Sequence, residues 1–256
     1  MACNGSFVTD AINLRSYNLS ESDKIVVLYS REKGLMRCVA KGVKKPKSKL
    51  GARMDLFVAN KLMLKEGKNL NTISQAEALN TFYKIRSDMD KIFYSMYISE
   101  VISNFGVEDD PCSHSVFDIL YDGLETISLA ENKVQILNAV LKFQLKIMRV
   151  AGFSLELERC LDCGRHITDE KMYFSGKLGG IVCCECNEKF GLHDVMHYKL
   201  RDYLLILANS EFDEVSPYEE LATEKFCKVC FDILKSYIDA HSAKHFKSTN
   251  ILQEVS

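Results

Sequence analysis

The sequence predicts a multidomain α+β protein: a small N-terminal β-barrel, then an all-α domain that carries a cysteine-rich insert. Short apolar segments separated by glycine-containing turns fill the first 80 residues, and apolar residues at helical spacing dominate the rest. Two C-x2-C motifs interrupt the helical part at about residues 158–190. With 256 residues, the chain is long enough for two small domains, which we place at 1–80 and 81–256.

Five strands are predicted in the first domain. Gly34 suits the turn of a hairpin, and Gly42 and the segment 44–51 favour a loop before the next strand. The predicted strands are Phe7–Tyr17, Ile25–Tyr29, Leu35–Ala40, Met54–Leu64 and Leu70–Ala76. Five short strands close most economically into a barrel, which removes exposed sheet edges. The five-stranded oligonucleotide-binding (OB) fold is the candidate barrel.

Amphipathic helices are predicted after about residue 80, because apolar residues recur there at i, i+3, i+4 and i+7. The predicted helical segments are Met89–Val101, Val116–Ile127, Ile136–Met148, His197–Ala208 and Tyr218–His241. The insert lies between the third and fourth of them. Its apolar segments 172–174 and 181–182 are predicted to be the two short strands of a zinc ribbon.

Four cysteines in the insert have the spacing of a metal site, C-x2-C-x19-C-x2-C. They are Cys160, Cys163, Cys183 and Cys186. Two residues between thiolates let one tight turn supply one edge of a tetrahedron, and a second turn supplies the other edge. Four protein ligands leave no open position for a substrate water, so we expect one structural Zn²⁺ and no catalytic metal.

Alternatives remain open for the other candidate ligands and thiols. Four reduced cysteines without metal would also be compatible with the sequence, and His166 or His193 could contribute a ligand. Cys184 is interpreted as a bystander. Cys227 and Cys230 repeat the C-x2-C pattern, but in a predicted helix, where core packing is favoured over a redox pair.

Charge is distributed unevenly along the chain. Residues 1–80 contain 14 basic and 7 acidic residues, whereas the remainder contains 19 basic and 28 acidic ones. Between Lys33 and Met54 there are eight basic residues and no acidic one. A basic loop on a small barrel suits a phosphate backbone, although a solvated loop without a partner is the alternative. The predicted DNA-binding residues are Arg15, Lys24, Arg31, Lys33, Arg37, Lys41, Lys44, Lys45, Lys47, Lys49 and Arg53.

Several classes of protein lack support in the sequence. No stretch approaches the ~20 apolar residues of a membrane span. Residues 1–10 show no basic start followed by an apolar run, so we expect no signal peptide and a cytoplasmic location. Neither a Walker A phosphate loop nor the H-x-E and P-C-x-x-C motifs of zinc deaminases occur, and we therefore expect a protein without covalent catalysis.

An ordered series of segments resembles the RecO family. The similarity comprises Tyr29–Gly34 with Ala40–Lys45, Lys47–Gly51, Leu70–Glu77, the four-cysteine insert preceded by Ala151–Phe153, and His245–Ser248. Ser30 stands where the family often has Thr. Some members have the zinc cysteines and others lack them, so the metal is judged on the spacing in this chain.

The resemblance implies a bacterial, nucleoid-associated mediator of recombinational repair. Family members bind single- and double-stranded DNA and anneal complementary strands. With RecR, and sometimes RecF, they load RecA onto strands coated by single-stranded DNA-binding protein (SSB). The acidic C-terminal tail of SSB binds their helical domain.

Two other functions compete with a DNA-binding mediator. A metalloenzyme would require an open metal site or paired acids. An interaction scaffold would use the insert to dock a protein partner, and its basic loop would be incidental. Neutralising Lys44, Lys45, Lys47 and Lys49 separates the mediator from the scaffold, because only the mediator then loses DNA affinity.

Overall fold

The computed structural model describes residues 5–215, 218–219, 222–242 and 246. These residues form two compact units. The first comprises residues 5–129 with Phe246, and the second comprises residues 130–242. The barrel ends near the predicted boundary at residue 80, but the first two helices that follow it belong to the same compact unit as the barrel.

Five strands close into a barrel with the order β1-β2-β3-β5-β4. Neighbouring strands are antiparallel except β3 and β5, which pair in parallel through Cys38 with Asn71 and Val39 with Thr72. The strands are β1 (Ser6–Asn18), β2 (Lys24–Ser30), β3 (Gly34–Ala40), β4 (Ala59–Lys65) and β5 (Asn71–Asn80). Inward-facing residues such as Val26, Leu28 and Leu62 are fully buried and form the core. The prediction of five strands is confirmed.

The start of the fourth strand was predicted five residues too early. Residues Ala52–Met54 form a short 3-10 turn, and β4 begins only at Ala59. Phe57 between them has a φ of 68°, a left-handed conformation that no regular strand contains. Met54 is buried in the barrel core instead of pairing with a neighbouring strand.

Two helices, α1 (Met89–Phe105) and α2 (Ser113–Leu129), complete the first unit. The side chain of Asp88 caps α1 by accepting a hydrogen bond from the Lys91 amide. The segment between the helices pairs with the β2–β3 turn, because Val107 accepts a hydrogen bond from the Leu35 amide. The predicted turn at Gly34 is confirmed, with a φ of +67° and no room for a β-carbon beside the Val107 carbonyl.

The second unit is built around α3 (Lys133–Val150), which packs against α5 (Tyr198–Asn209) and α6 (Glu224–His241). Residues 218–219 are helical as predicted, but the long helix α6 begins at Glu224, where the Thr223 side chain caps it. Part of the predicted segment, residues 220–221, lies outside the described residues. So do His245, Lys247 and Ser248 of the terminal motif.

A small sheet and a short helix form the insert. Strands β6 (Lys171–Ser175) and β7 (Gly180–Val182) confirm the two predicted ribbon strands, and β8 (Val195–His197) adds a third beside β6. Helix α4 (Cys184–Phe190) was not predicted, because its seven residues contain no apolar pattern at helical spacing.

Among the residues that the structure describes, no helix is long and apolar enough to cross a membrane.

Candidate metal centre and nucleic-acid interface

The first cysteine pair lies in a tight turn. The Gly164 amide donates to the Cys160 carbonyl at 2.9 Å, and the Cys160 amide donates to the Arg165 carbonyl at 2.9 Å. Gly164 permits this turn because its φ is +72°. The Leu161 amide donates to Ile181 on β7, so the turn is fixed against the strand that leads to the second pair.

The second pair lies where β7 passes into α4. Cys183 is the residue immediately before α4, and Cys186 lies in the first turn of that helix. The Cys183 amide donates to the Cys160 sulfur at 3.4 Å, and the Cys163 and Cys183 sulfurs are 4.0 Å apart. Two local turns, separated by nineteen residues, therefore meet at one point.

All four sulfurs lie within 4.8 Å of one another. Metal–sulfur bonds of ~2.3 Å to a tetrahedral ion require sulfurs about 3.8 Å apart, so a small contraction would complete the coordination. Cys160, Cys183 and Cys186 are buried, whereas Cys163 is exposed. The four cysteines are thus positioned to hold a metal ion, with sulfur as the donor at every position.

Electrostatics around the cluster favours thiolates at two positions. Burial raises the pKa of the Cys160 thiol, but N–H groups of Cys163, Cys183 and Asp162 outweigh burial and lower it to about 6. The pKa of Cys183 is also lowered against its burial, by the Cys186 amide and the Arg165 guanidinium. Asp162 raises the pKa of Cys186 by accepting its hydrogen bond. Thiolate is the form that binds metals.

The other residues considered from the sequence do not join this cluster. Neither His166 nor His193 belongs to the group of potential ligands among the described residues. The Cys184 sulfur is exposed and donates to the Lys171 carbonyl at 3.4 Å, away from the four-sulfur group. Cys227 and Cys230 on α6 are fully buried, which confirms the prediction of core packing. Burial raises the pKa of Cys230 to about 12, so it remains a thiol.

The basic segment forms a loop at one end of the barrel, between β3 and the 3-10 turn. Val43 and Met54 anchor it, because both are buried in the barrel core. The loop is a chain of tight turns, in which the Lys45 amide donates to Gly42 and the Ser48 amide donates to Lys45. Its basic residues face solvent and are exposed: Lys41, Lys44, Lys45, Lys47, Lys49 and Arg53.

Two buried asparagines hold the far end of the loop. Asn13 and Asn60 each donate a side-chain hydrogen bond to the Arg53 carbonyl, at 2.7 and 2.9 Å. Asn13 also donates to the Asp55 carbonyl at 2.9 Å. Both asparagines are at most 1% exposed, so the backbone that carries Arg53 is fixed from inside the barrel.

The outer face of β1, β2 and β3 continues the basic surface beside the loop. Arg15 and Arg37 pair in register with Val27, which places both arginines on one face of the sheet. Tyr17 lies two residues from Arg15 on this face, is 49% exposed, and has the Arg15 guanidinium 5.5 Å from its ring centre. Lys24, at the start of β2, is half-buried at the same end of the barrel.

Arg31 and Lys33 lie apart from the basic loop. They lie in the β2–β3 turn, and the seven residues of each strand at about 3.3 Å per residue place them roughly 20 Å from Lys41. Arg31 pairs with Asp118 and lies over the Phe117 ring, and Lys33 pairs with Asp109 at 3.3 Å. Each of the two cations therefore has an acidic partner within the first unit, in a partly exposed ion pair.

Three aromatic residues of the barrel could stack on bases, namely Tyr17, Tyr29 and Phe57, but only Tyr17 among them is exposed. Tyr29 and Phe57 are at most 3% exposed. Sequence reasoning missed Asp23, Asn13 and Asn60, whose side chains hold the basic loop. The Ser-Glu-Ser-Asp turn at 20–23 was a local signal for Asp23, because such residues bind nearby backbone amides. No local signal indicated the asparagines.

The chain is similar to known proteins over most of its length. Sequence models described as "Recombination protein O N terminal" and "Recombination protein O C terminal" match residues 1–82 and 86–250. A protein named DNA repair protein RecO from Desulforamulus reducens is 31% identical over 96% of this chain and 93% of its own length. One of the same name from Pelotomaculum thermopropionicum is 35% identical over 70% of this chain and 68% of its own. The chain therefore belongs to the RecO family of DNA repair proteins.

Proposed function

We propose that this protein binds single- and double-stranded DNA through its barrel and mediates recombinational repair without covalent catalysis. The observation that carries the proposal is the exposed basic loop, which two buried anchors and two asparagines hold at one end of the barrel. Because the lysines of the loop are exposed, their charges are accessible to phosphates. The closed order β1-β2-β3-β5-β4, with β3 and β5 parallel, supports an OB fold for this barrel.

The proposed DNA interface combines the basic loop with the outer face of β1–β3. Phosphate contacts come from the cations, and the exposed ring of Tyr17 is suited to stack on a base. We propose nine of the eleven residues predicted from the sequence as the interface, and we leave out Arg31 and Lys33 because they lie at the opposite end of the β2–β3 hairpin from the loop. The nine are Arg15, Lys24, Arg37, Lys41, Lys44, Lys45, Lys47, Lys49 and Arg53.

The metal that fits the four cysteines is one structural Zn²⁺. Four sulfur donors in a compact group suit zinc, and four protein ligands leave no coordination position for a reacting water. When bound, the ion would fix the two turns that carry the cysteines. Its proposed role is to hold the insert in its folded form.

Membership of the RecO family supports the remaining parts of the proposal. The protein anneals complementary strands and, with RecR and sometimes RecF, helps load RecA onto SSB-coated single strands. The helical domain, placed at 81–256, binds the acidic C-terminal tail of SSB. The site of action is the bacterial nucleoid, in the cytoplasm.

Annealing of complementary oligonucleotides across a salt series, with and without SSB, tests this function. We expect fast annealing that weakens steeply with salt, because counterion release drives the binding of DNA. Annealing should persist when SSB covers the strands. A protein that neither anneals nor binds DNA at low salt would contradict the proposal and favour the protein-docking scaffold.

Neutralising the lysines of the loop tests whether the loop binds the DNA. Replacing Lys44, Lys45, Lys47 and Lys49 by Gln should reduce the salt slope of single-strand binding by about 3, at ~0.7 per lost phosphate contact. The matched control replaces four exposed lysines of the second unit by Gln as well: Lys171, Lys177, Lys199 and Lys225. Both variants change the net charge equally. Equal loss in both would assign binding to net charge and not to the loop.

A further inference from the structure

The β1–β2 turn brings an acidic residue into the basic loop. Asp23 Oδ1 accepts a hydrogen bond from the Gly42 amide at 2.7 Å. The turn around Asp23 is itself fixed, because the Leu19 amide donates to the Asp23 carbonyl and the Asp23 amide donates to Ser20 Oγ. The negative charge of this carboxylate, so close to the proposed DNA-binding loop, would by itself repel phosphates. A second effect must therefore favour an acidic residue at this position.

Further contacts join the same turn and loop. The Lys44 amide donates to the Ser22 carbonyl at 3.1 Å, and Lys44 Nζ donates to the Ser20 carbonyl at 3.0 Å. Gly42, the donor to Asp23, has a φ of +64° and starts the sequence of turns that presents the lysines. The contacts at Gly42 and Lys44 therefore determine the direction in which the loop leaves β3.

Asp23 keeps its negative charge in this position. The Gly42 amide and the Ser22 hydroxyl lower its pKa, and Lys41 adds an attractive charge. The Ser22 hydroxyl donates to Oδ1 at 3.0 Å, so Oδ1 has two donors from two segments of the chain. An ionised acceptor makes stronger hydrogen bonds than a neutral one, which suits an anchor in an exposed turn.

We propose that Asp23 is a positioning residue of the DNA interface, which fixes the basic loop against the β1–β2 turn so that its lysines meet the phosphates together. The inference rests on the proposed function. A loop that is already ordered loses less conformational freedom on binding than a mobile one. The proposal requires the gain from loop order to exceed the repulsion from one carboxylate, whose charge the Gly42 and Ser22 donors partly offset.

Substitutions at Asp23 distinguish the effect of its charge on DNA affinity from its effect on the position of the loop. Asp23→Ala removes both the charge and the acceptor, and we expect single-strand binding to weaken roughly three- to tenfold because the loop loses its anchor. Asp23→Asn removes the charge but retains an oxygen acceptor for Gly42, so it should bind at least as tightly as the unaltered protein. If only charge mattered, both variants would bind more tightly.

Glu21 supplies the matched control in the same turn. It is exposed, and its side chain makes no hydrogen bond or ion pair with the described part of the chain. Glu21→Ala removes the same charge as Asp23→Ala without touching the loop. We expect it to bind DNA as tightly as the unaltered protein, or more tightly.

The measurement is fluorescence anisotropy of a labelled single-stranded oligonucleotide across a salt series, with amide hydrogen exchange of the DNA-free proteins. Weaker binding, a smaller salt slope and faster exchange over 41–51 in Asp23→Ala alone would support the proposal. Tighter binding by Asp23→Ala, as by Glu21→Ala, would overturn it. If the unaltered protein does not bind DNA, the proposed function fails first and this inference with it.

A second variant covers the case in which Asp23→Ala does not fold. Ser22→Ala removes one hydrogen bond from the Asp23 carboxylate and changes no charge. We expect a smaller loss of affinity in the same direction, with the circular dichroism spectrum of the unaltered protein. Unchanged affinity together with faster exchange over 41–51 would count against a positioning role.

Discussion

Lys142 is a charged residue in the core of the second unit. Its side chain is 2% exposed and pairs at 3.1 Å with Glu219, which is 4% exposed. Lys142 Nζ also donates to the Glu211 carbonyl at 3.1 Å, so both Glu211 and Glu219 are tied to α3. Buried ion pairs add little net stability over apolar residues, but removing one partner leaves an uncompensated charge.

Replacing Lys142 by Met should lower the free energy of unfolding by about 3–5 kcal/mol, because Glu219 loses the cation that offsets its burial. Urea denaturation followed by circular dichroism measures the change. The control is Lys146→Met on the same helix, where the partner Glu211 is 70% exposed and the expected loss is below about 1 kcal/mol. Equal losses in the two variants would contradict this account of the pair.

We expect the fold of the insert to depend on a bound metal more than any other element does. Its sheet has three short strands and its helix α4 has seven residues, so little apolar surface is available to hold it together. The cysteine turns lie at the ends of these elements, and a metal would link them. Binding free energy at such a site is in part folding free energy.

Protein purified without chelator should contain about one zinc per chain, since four thiolates complete one coordination sphere. Cys160→Ser should lose the metal and make residues 158–197 sensitive to limited proteolysis, while α3 and the barrel remain protected. Cys184→Ser is the control, because this exposed sulfur lies outside the four-sulfur group. Zinc content well below one per chain in unaltered protein would contradict the structural-metal proposal.

At the scale of the whole molecule, charge separates along the chain. Residues 1–80 have a net charge of +7 and the remainder −9, although the protein as a whole has −2. A polyanion is therefore attracted to the barrel and repelled from most of the rest. The net charge of the whole protein is near zero and does not reveal this difference between the two parts. The location of the charges therefore predicts more about DNA binding than the net charge does.

Hydrogen exchange with and without saturating single-stranded DNA should map binding to the barrel. We expect slower exchange in residues 15–27 and 37–53, which contain the outer face of β1–β3 and the basic loop, because bound phosphates exclude water there. Residues 158–197 serve as the internal control and should exchange as before. Protection centred on the insert would instead indicate that the metal domain contacts the nucleic acid.

Local pattern in the sequence determined the strands, most helices, the two cysteine turns and the basic loop. These features depend on periodicity, turn residues and spacing within a few residues, and each can be read without knowing the fold. The start of β4 and the helix α4 were not predictable in this way. Phe57 at a positive φ interrupts the strand predicted from Met54, so β4 begins after it, and α4 has no apolar face.

Only the tertiary structure decided which charges share a surface. Arg31 and Lys33 are near the basic loop in sequence, but the β2–β3 hairpin carries them to the other end of the barrel, where Asp118 and Asp109 engage them. Asp23 meets Gly42, and Asn13 meets the Arg53 carbonyl, across 19 and 40 positions of the chain. The physical reason is that barrel closure sets these pairings, and periodicity within a segment contains no information about its distant neighbours.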